Sequence, residues 1–330
     1  MAVNLKGRSF LSLADFSPQE VRHLLDLARE LKATRRAPGR EPRLKGRNIV
    51  LLFEKASTRT RCAFEVAALD EGAHVTYLDP AGSQMGKKES LEDSAKVLGR
   101  FFDGIEYRGF GQDVVEGLAR HSGVPVWNGL TDTDHPTQVL ADLLTLEEHV
   151  AKPLREMKLV FCGDTRNNMA NALMHGAAKT GLSLTLLGPA SLAPDPAVLA
   201  AAREAAKETG ARIEVTDDAS AGARGADAFY TDVWASMGEE DQIPERVKLL
   251  TPYRVKRDLL ARTGNPDVKF LHCLPAFHDF ETKLAKSQMA LGHDIREVED
   301  EVFRSPASVV FDQAENRMHT IKAVLVATLC

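Results

Sequence analysis

Asn48-Ile49-Val50-Leu51-Leu52-Phe53 runs directly into Glu54-Lys55-Ala56-Ser57-Thr58-Arg59-Thr60-Arg61. The unbroken apolar run after Asn48 reads as a buried strand. The hydroxyls and arginines that follow read as the start of a helix carrying Cys62, Val66, Leu69 and Ala73 on one face. Short apolar runs recur downstream at 75–78, 105–107 and 124–127, separated by helical spacing such as Leu91, Ala95, Leu98 and Phe102. Strands alternating with helices predict a parallel sheet. Upstream, Ser17-Pro18-Gln19-Glu20 reads as a capping box with proline at the first helical position, and the polar stretch 32–46 as a surface connection.

A helix over 136–150, with Val139, Leu140, Leu143 and Leu144 on its apolar face, leads to Ala151-Lys152-Pro153, where a domain boundary is expected. A second alternating series then predicts strands at 158–162, 182–187, 212–215, 228–231, 269–272 and 309–311, with an Ala-rich, solvent-facing helix over 197–206. The fold class expected is α/β, in two doubly wound parallel-sheet domains. Ligands in such sheets sit beyond the carboxyl ends of the strands, so those ends decide function.

The chain has 330 residues, 44% hydrophobic and 27% charged, which excludes disordered, collagen-like and coiled-coil classes. With 42 basic and 47 acidic residues the net charge is −5, so no global basic excess holds nucleic acid or an anionic membrane. Any anionic ligand must meet a local cluster. Cys62, Cys162, Cys273 and Cys330 lack the spacing of a zinc site and the density of a disulfide scaffold. They predict a reducing, cytoplasmic setting. No signal-type apolar core opens the sequence, and 321–330 falls short of the ~20 residues that span a bilayer.

The strand ends carry the unusual residues. Ser57 to Arg61 load a helix N-terminus with donors suited to a phosphate, although the same run also reads as a capped helix with solvated arginines. Arg108-Gly109 ends a strand, where glycine permits close approach. His135-Pro136-Thr137-Gln138 opens a helix whose proline holds His135 beside the cap. A neutral imidazole there can donate to a carbonyl, and Gln138 can bind an adjoining amide. Asn168 follows the first strand of the second series and can hold a carboxylate or simply cap a turn. Asp232, ahead of Trp234 and Ser236-Met237-Gly238, suits an ammonium. Cys273 in His272-Cys273-Leu274-Pro275 can face an amine or pack in a core. Gly82-Ser83-Gln84-Met85-Gly86-Lys87-Lys88 is not a P-loop: it has three residues between its glycines and no Ser or Thr after the lysine.

Together, Ser57-Thr58-Arg59-Thr60-Arg61, Arg108, His135-Pro136-Thr137-Gln138, Asp232 with Ser236-Met237-Gly238, and His272-Cys273-Leu274-Pro275 resemble the aspartate/ornithine carbamoyltransferase family over essentially the whole chain. The last two motifs are similar to its ornithine branch. The resemblance implies a carbamoyl-phosphate-binding domain at 1–150, on which a C-terminal helix of about 314–330 packs back. It also implies an ornithine-binding domain at 151–313 and an active site in the cleft between the two. By the same resemblance Ser57, Thr58, Arg59, Thr60, Arg61 and Arg317 would hold carbamoyl phosphate, with Arg108, His135 and Gln138 on its carbamoyl group. Gln84, with Lys88, would reach a neighbouring subunit's site in a homotrimer or assembly of trimers.

Asn168, Asp232, Ser236 and Met237 would bind L-ornithine. Cys273 and Leu274 would lie where its δ-amine meets carbamoyl phosphate, and Arg108, His135 and Cys273 would carry catalysis. The implied reaction moves the carbamoyl group to the δ-amine of L-ornithine, giving L-citrulline and phosphate, in either metabolic direction. No cofactor, metal, nucleic acid or membrane partner is expected. Another acceptor, such as putrescine, aspartate or an acylated ornithine, is the rival within the family. A nucleotide-linked dehydrogenase is the rival outside it, and it lacks the glycine fingerprint.

Overall fold

A computed structural model describes residues 3–79, 81–82, 85–86, 88–235 and 238–330. Internal packing divides the chain into two units, Met1–Leu144 with Glu315–Cys330, and Thr145–Ala314.

The first unit opens with α1 (Pro18–Thr34). Its capping box is formed: the Ser17 hydroxyl accepts from the Glu20 N–H at 3.2 Å, and Glu20 accepts from the Ser17 N–H at 2.8 Å. There follow β1 (Asn48–Phe53), α2 (Thr58–Asp70), β2 (His74–Leu78), α3 (Leu91–Phe101), β3 (Gly104–Arg108), α4 (Gln112–Ser122), β4 (Val126–Leu130) and α5 (Pro136–His149). The strands are all parallel in the order β2-β1-β3-β4. Strand order reverses between β1 and β3, so a ligand crevice is expected where those two strands end.

The second unit contains β5 (Lys158–Cys162), α6 (Asn168–Thr180), β6 (Ser183–Leu187), α7 (Pro196–Ala206), β7 (Ile213–Thr216), α8 (Ala219–Ala223) and β8 (Ala228–Thr231). It continues through α9 (Ile243–Leu250), α10 (Arg257–Ala261), β9 (Lys269–His272), α11 (Lys283–Ala290) and α12 (Asp300–Phe303). Its parallel sheet runs β7-β6-β5-β8-β9, with the reversal between β5 and β8.

The last helix, α13 (Val310–Leu329), begins in the second unit and finishes in the first. There Lys322, with none of its surface exposed, donates to Asp70 Oδ2 at 2.6 Å, an oxygen that also accepts from Arg35 Nε at 2.9 Å. Trp127 Nε1 donates to the Thr328 hydroxyl at 3.0 Å. A buried ammonium needs such a partner, so this contact fixes the helix in register on the end of α2.

Three local expectations change. Residues 309–311 do not form a strand: Ser308 makes one bridge to Phe270, and the helix starts at Val310. Three apolar residues cannot separate the two periods, and Phe311, 70% exposed, lies outside the core. On α2 the buried face is Thr60, Ala63, Phe64, Ala67 and Ala68, while Cys62 is exposed and Leu69 is 60% exposed. The small alanines, rather than the larger residues, let the helix approach its neighbours. The fourth strand begins after Pro125, which has no N–H for the ladder, and takes in Asn128, Gly129 and Leu130, expected as loop.

Helices α3 and α4 meet at Gly99, where an added Cβ would lie 1.8 Å from the Ser122 carbonyl oxygen. Backbone cannot yield as a flexible side chain does. Gly99→Ala is expected to destabilise the first unit by about 3 kcal/mol, read as an earlier urea transition by circular dichroism.

Candidate active site

At the carboxyl end of β1 the chain turns at Ser57, whose hydroxyl accepts from the Thr60 N–H at 3.2 Å and caps α2. Beside it, β3 ends on Arg108. The pairing of β3 with β4 shifts register here, Tyr107 facing Asn128 and Arg108 facing Leu130, and such a bulge re-aims the strand end. Arg108 Nη1 donates to the Thr60 hydroxyl at 3.3 Å. Arg317, from α13, donates Nη2 to the same hydroxyl at 3.1 Å and Nη1 to Gln138 Oε1 at 2.8 Å. Gln138 Nε2 in turn donates to Asp142 at 2.8 Å, which fixes the orientation of the amide.

Arg108 and Arg317 are 8% and 3% exposed, so two nearly buried guanidinium groups converge on one hydroxyl. Like charges brought together out of water make this a favourable place for an anion.

His135 precedes α5, is 4% exposed, and its Nδ1 has no hydrogen-bond partner among the described residues. Burial first, then the charges of Arg317, Arg108 and Arg59, push it well below the usual imidazole range. It is therefore a neutral group, as expected from the sequence, able to donate from one nitrogen and accept at the other. Below about pH 6.5 the unfolded chain protonates this ring while the folded one does not, so stability falls as pH drops from there toward the lower folded value. In a ¹⁵N-histidine spectrum, His135 is expected to show no titration between about pH 6 and 8, where an exposed imidazole would titrate.

One expected residue points away from this group. Arg61 is exposed, with Nε donating to Glu65 at 2.9 Å and its guanidinium 3.8 Å over the Tyr77 ring, and it makes no hydrogen bond to Thr60, Arg108 or Arg317. Thr58 and Lys88 are exposed. Gly109 has no room for a side chain: a Cβ there would lie 2.1 Å from the Tyr107 hydroxyl, which donates to Glu54 at 2.5 Å. Gln84, Ser236 and Met237 lie outside the described residues.

Two carboxyl groups were not singled out by the sequence reading. Glu106, fully buried on β3, has neither oxygen hydrogen-bonded among the described residues, and burial raises it well above the usual carboxylate range, against the opposing charges of Arg108 and Arg317. An acid inside the apolar run 105–107 was its only signal. Glu297, equally buried, is pushed by burial up to about 8. It accepts from His272 Nε2 at 3.0 Å. Nothing in the local sequence around Glu297 marks it.

In the second unit, β5, β8 and β9 end side by side. Asn167 caps α6, its Oδ1 accepting from the Ala170 N–H at 2.9 Å and its Nδ2 donating to Asp232 Oδ2 at 3.3 Å. The expected Asn168 is the first residue of α6 and is half-buried. Asp232 Oδ1 accepts from the Val233 N–H at 2.8 Å and from the Cys273 thiol at 3.0 Å. Burial raises the Asp232 carboxyl. The neighbouring Leu274 is half-buried. This group therefore offers an anion oriented by an amide, an N–H and a thiol, an arrangement suited to an ammonium. Asp232, His272 and Cys273 also lie within metal-ligating distance of one another.

Comparison with known proteins finds two family domains in order along the chain. Residues 8–148 match the carbamoyl-P binding domain of aspartate/ornithine carbamoyltransferase, and residues 155–328 match the Asp/Orn binding domain. A catabolic ornithine carbamoyltransferase of Clostridium perfringens is 65% identical over 330 residues, covering 99% of each chain. Among solved structures, ornithine carbamoyltransferase from Pyrococcus furiosus is 38% identical with a TM-score of 0.91, covering 99% of both chains. The enzyme from Thermus thermophilus is 40% identical with a TM-score of 0.80, over 98% of this chain and 99% of that one. With both family domains matched in order and full-length relatives at this identity, the chain belongs to the aspartate/ornithine carbamoyltransferase family.

Proposed function

We propose that the protein transfers the carbamoyl group of carbamoyl phosphate to the δ-amine of L-ornithine, giving L-citrulline and phosphate. The observation that carries this reading is the convergence of buried Arg108 and Arg317 on Thr60, beside a neutral His135. Such a group suits a dianion whose carbonyl must be polarised. Arg59, Arg108 and Arg317 offset the phosphate charge, Ser57, Thr58 and Thr60 supply hydroxyls and N–H groups at the helix start, and His135 donates to the carbonyl oxygen. Gln138 Oε1, already accepting from Arg317, keeps a second lone pair for the carbamoyl N–H.

The acceptor belongs to the second unit, where Asp232 takes the α-ammonium and the amides of Asn168 and Asn167 lie at the same strand ends. An alkyl ammonium with a lysine-like pKa of about 10.4 must lose its proton to attack, at a cost of about 4.6 kcal/mol at pH 7. Desolvation beside Leu274 and Cys273 lowers that cost. The neutral nitrogen then adds to the carbonyl carbon, and phosphate departs with the C–O bonding pair and accepts the proton. Cys273→Ala is expected to raise KM for L-ornithine about tenfold with a smaller change in KM for carbamoyl phosphate, because the lost donor leaves Asp232 less well oriented.

We infer a homotrimer in the cytoplasm, acting in arginine metabolism, with Lys88 and Gln84 supplying a neighbouring site. Among the described residues no helix is long and apolar enough to cross a membrane. The direct test is a colorimetric citrulline assay on purified protein with carbamoyl phosphate and L-ornithine, beside L-aspartate and putrescine. Turnover with L-ornithine well above the others is expected. Preference for another acceptor would overturn the reading.

A further inference from the structure

Two residues beyond the end of β9, Leu274 takes the left-handed backbone conformation, φ 57°. A branched aliphatic residue avoids that region because its Cβ crowds the backbone, so an observed case points to something that holds it. Here the holding group is a hydrogen-bond chain that ends on Glu297. The Leu274 N–H donates to Nδ1 of His272 at 2.8 Å. Because Nδ1 accepts, a neutral ring carries its hydrogen on Nε2, and Nε2 lies 3.0 Å from Oε1 of Glu297. The same Oε1 accepts from the Phe277 N–H at 2.6 Å.

One carboxyl oxygen thus grips both ends of residues 272–277. His272 and Glu297 are 1% and 0% exposed, and the His272 N–H is itself taken by Gln313 Oε1 at 2.9 Å. An apolar side chain would fill this buried place without desolvating a carboxyl, unless two converging donors required an acceptor there.

We propose that Glu297 is a positioning residue for the acceptor substrate: by fixing His272 in its Nε2–H form it holds residues 272–277 in the backbone shape that keeps the Cys273 thiol on Asp232. The inference rests on the acceptor reading of Asp232 and Cys273 given above. Glu297 acts through His272, not on the reacting atoms. Its requirement is an acceptor at the Oε1 position, which an amide also supplies.

The experiment compares Glu297→Leu, Glu297→Gln and Asp232→Asn in the full-length protein. Glu297→Leu is expected to raise KM for L-ornithine about tenfold while KM for carbamoyl phosphate stays within about twofold, and Glu297→Gln is expected to restore ornithine KM to within about threefold. An unchanged ornithine KM in Glu297→Leu overturns the inference, as does a Glu297→Gln variant as impaired as Glu297→Leu. Asp232→Asn separates the two failures. If it raises ornithine KM while Glu297→Leu does not, this inference alone has failed, and if neither does, the acceptor reading has failed with it. Should Glu297→Leu not fold, the ¹⁵N-histidine spectrum of the unaltered protein decides. His272 is expected to carry its proton on Nε2 with Nδ1 hydrogen-bonded and unprotonated, and a proton on Nδ1 overturns the inference.

Discussion

Arg317→Ala is expected to lower kcat/KM for carbamoyl phosphate by about 10³-fold, close to 4 kcal/mol of transition-state stabilisation. Arg317 is 3% exposed and its guanidinium donates to both Thr60 and Gln138, so its loss removes a charge where screening by water is weak and leaves two acceptors short of a donor. Arg317→Lys is expected to recover only part of the loss, since a single ammonium cannot reach both acceptors as the planar fork does. Calorimetric titration with carbamoyl phosphate, alongside steady-state rates, measures both effects. A variant that binds carbamoyl phosphate as tightly as the parent would remove Arg317 from the site.

Asp232→Ala, on the other unit, is expected to raise KM for L-ornithine by about 10²-fold, the worth of one charge-assisted bond of about 2–3 kcal/mol, with carbamoyl-phosphate binding unchanged. The sign with pH follows from the raised carboxyl. Above its raised folded value the carboxyl is ionised and attracts the ammonium. As pH falls through that value the proton competes, so ornithine KM in the parent is expected to climb, and the Ala variant is expected to lose that acid-side dependence. Rates measured across pH with carbamoyl phosphate saturating distinguish the two proteins.

Most strands and helix starts were legible because their signals are local. The apolar run through Phe53, the capping box at Ser17 and the proline after His135 each act within one turn or strand, and each forms as expected. Arg108 and His135 were readable because they stand where a strand ends and a helix begins. Glu106 and Glu297 were not, since their importance lies in burial and in partners far along the chain, such as the 25 residues separating His272 from Glu297. The outward turn of Arg61 toward Tyr77 was hidden for the same reason, as was the bulge at Tyr107 and Arg108, which depends on how β4 pairs.

The helix that carries Arg317 joins the N-terminal unit although the whole second unit lies between them in sequence. The segment up to Leu144 supplies the strands of the four-stranded sheet, whereas Arg317 and the Lys322 partner of Asp70 come from this distant helix. The guanidinium pair on Thr60 therefore forms only on long-range closure of the chain, so a variant that unseats this helix is expected to lose the pair while its sheet remains.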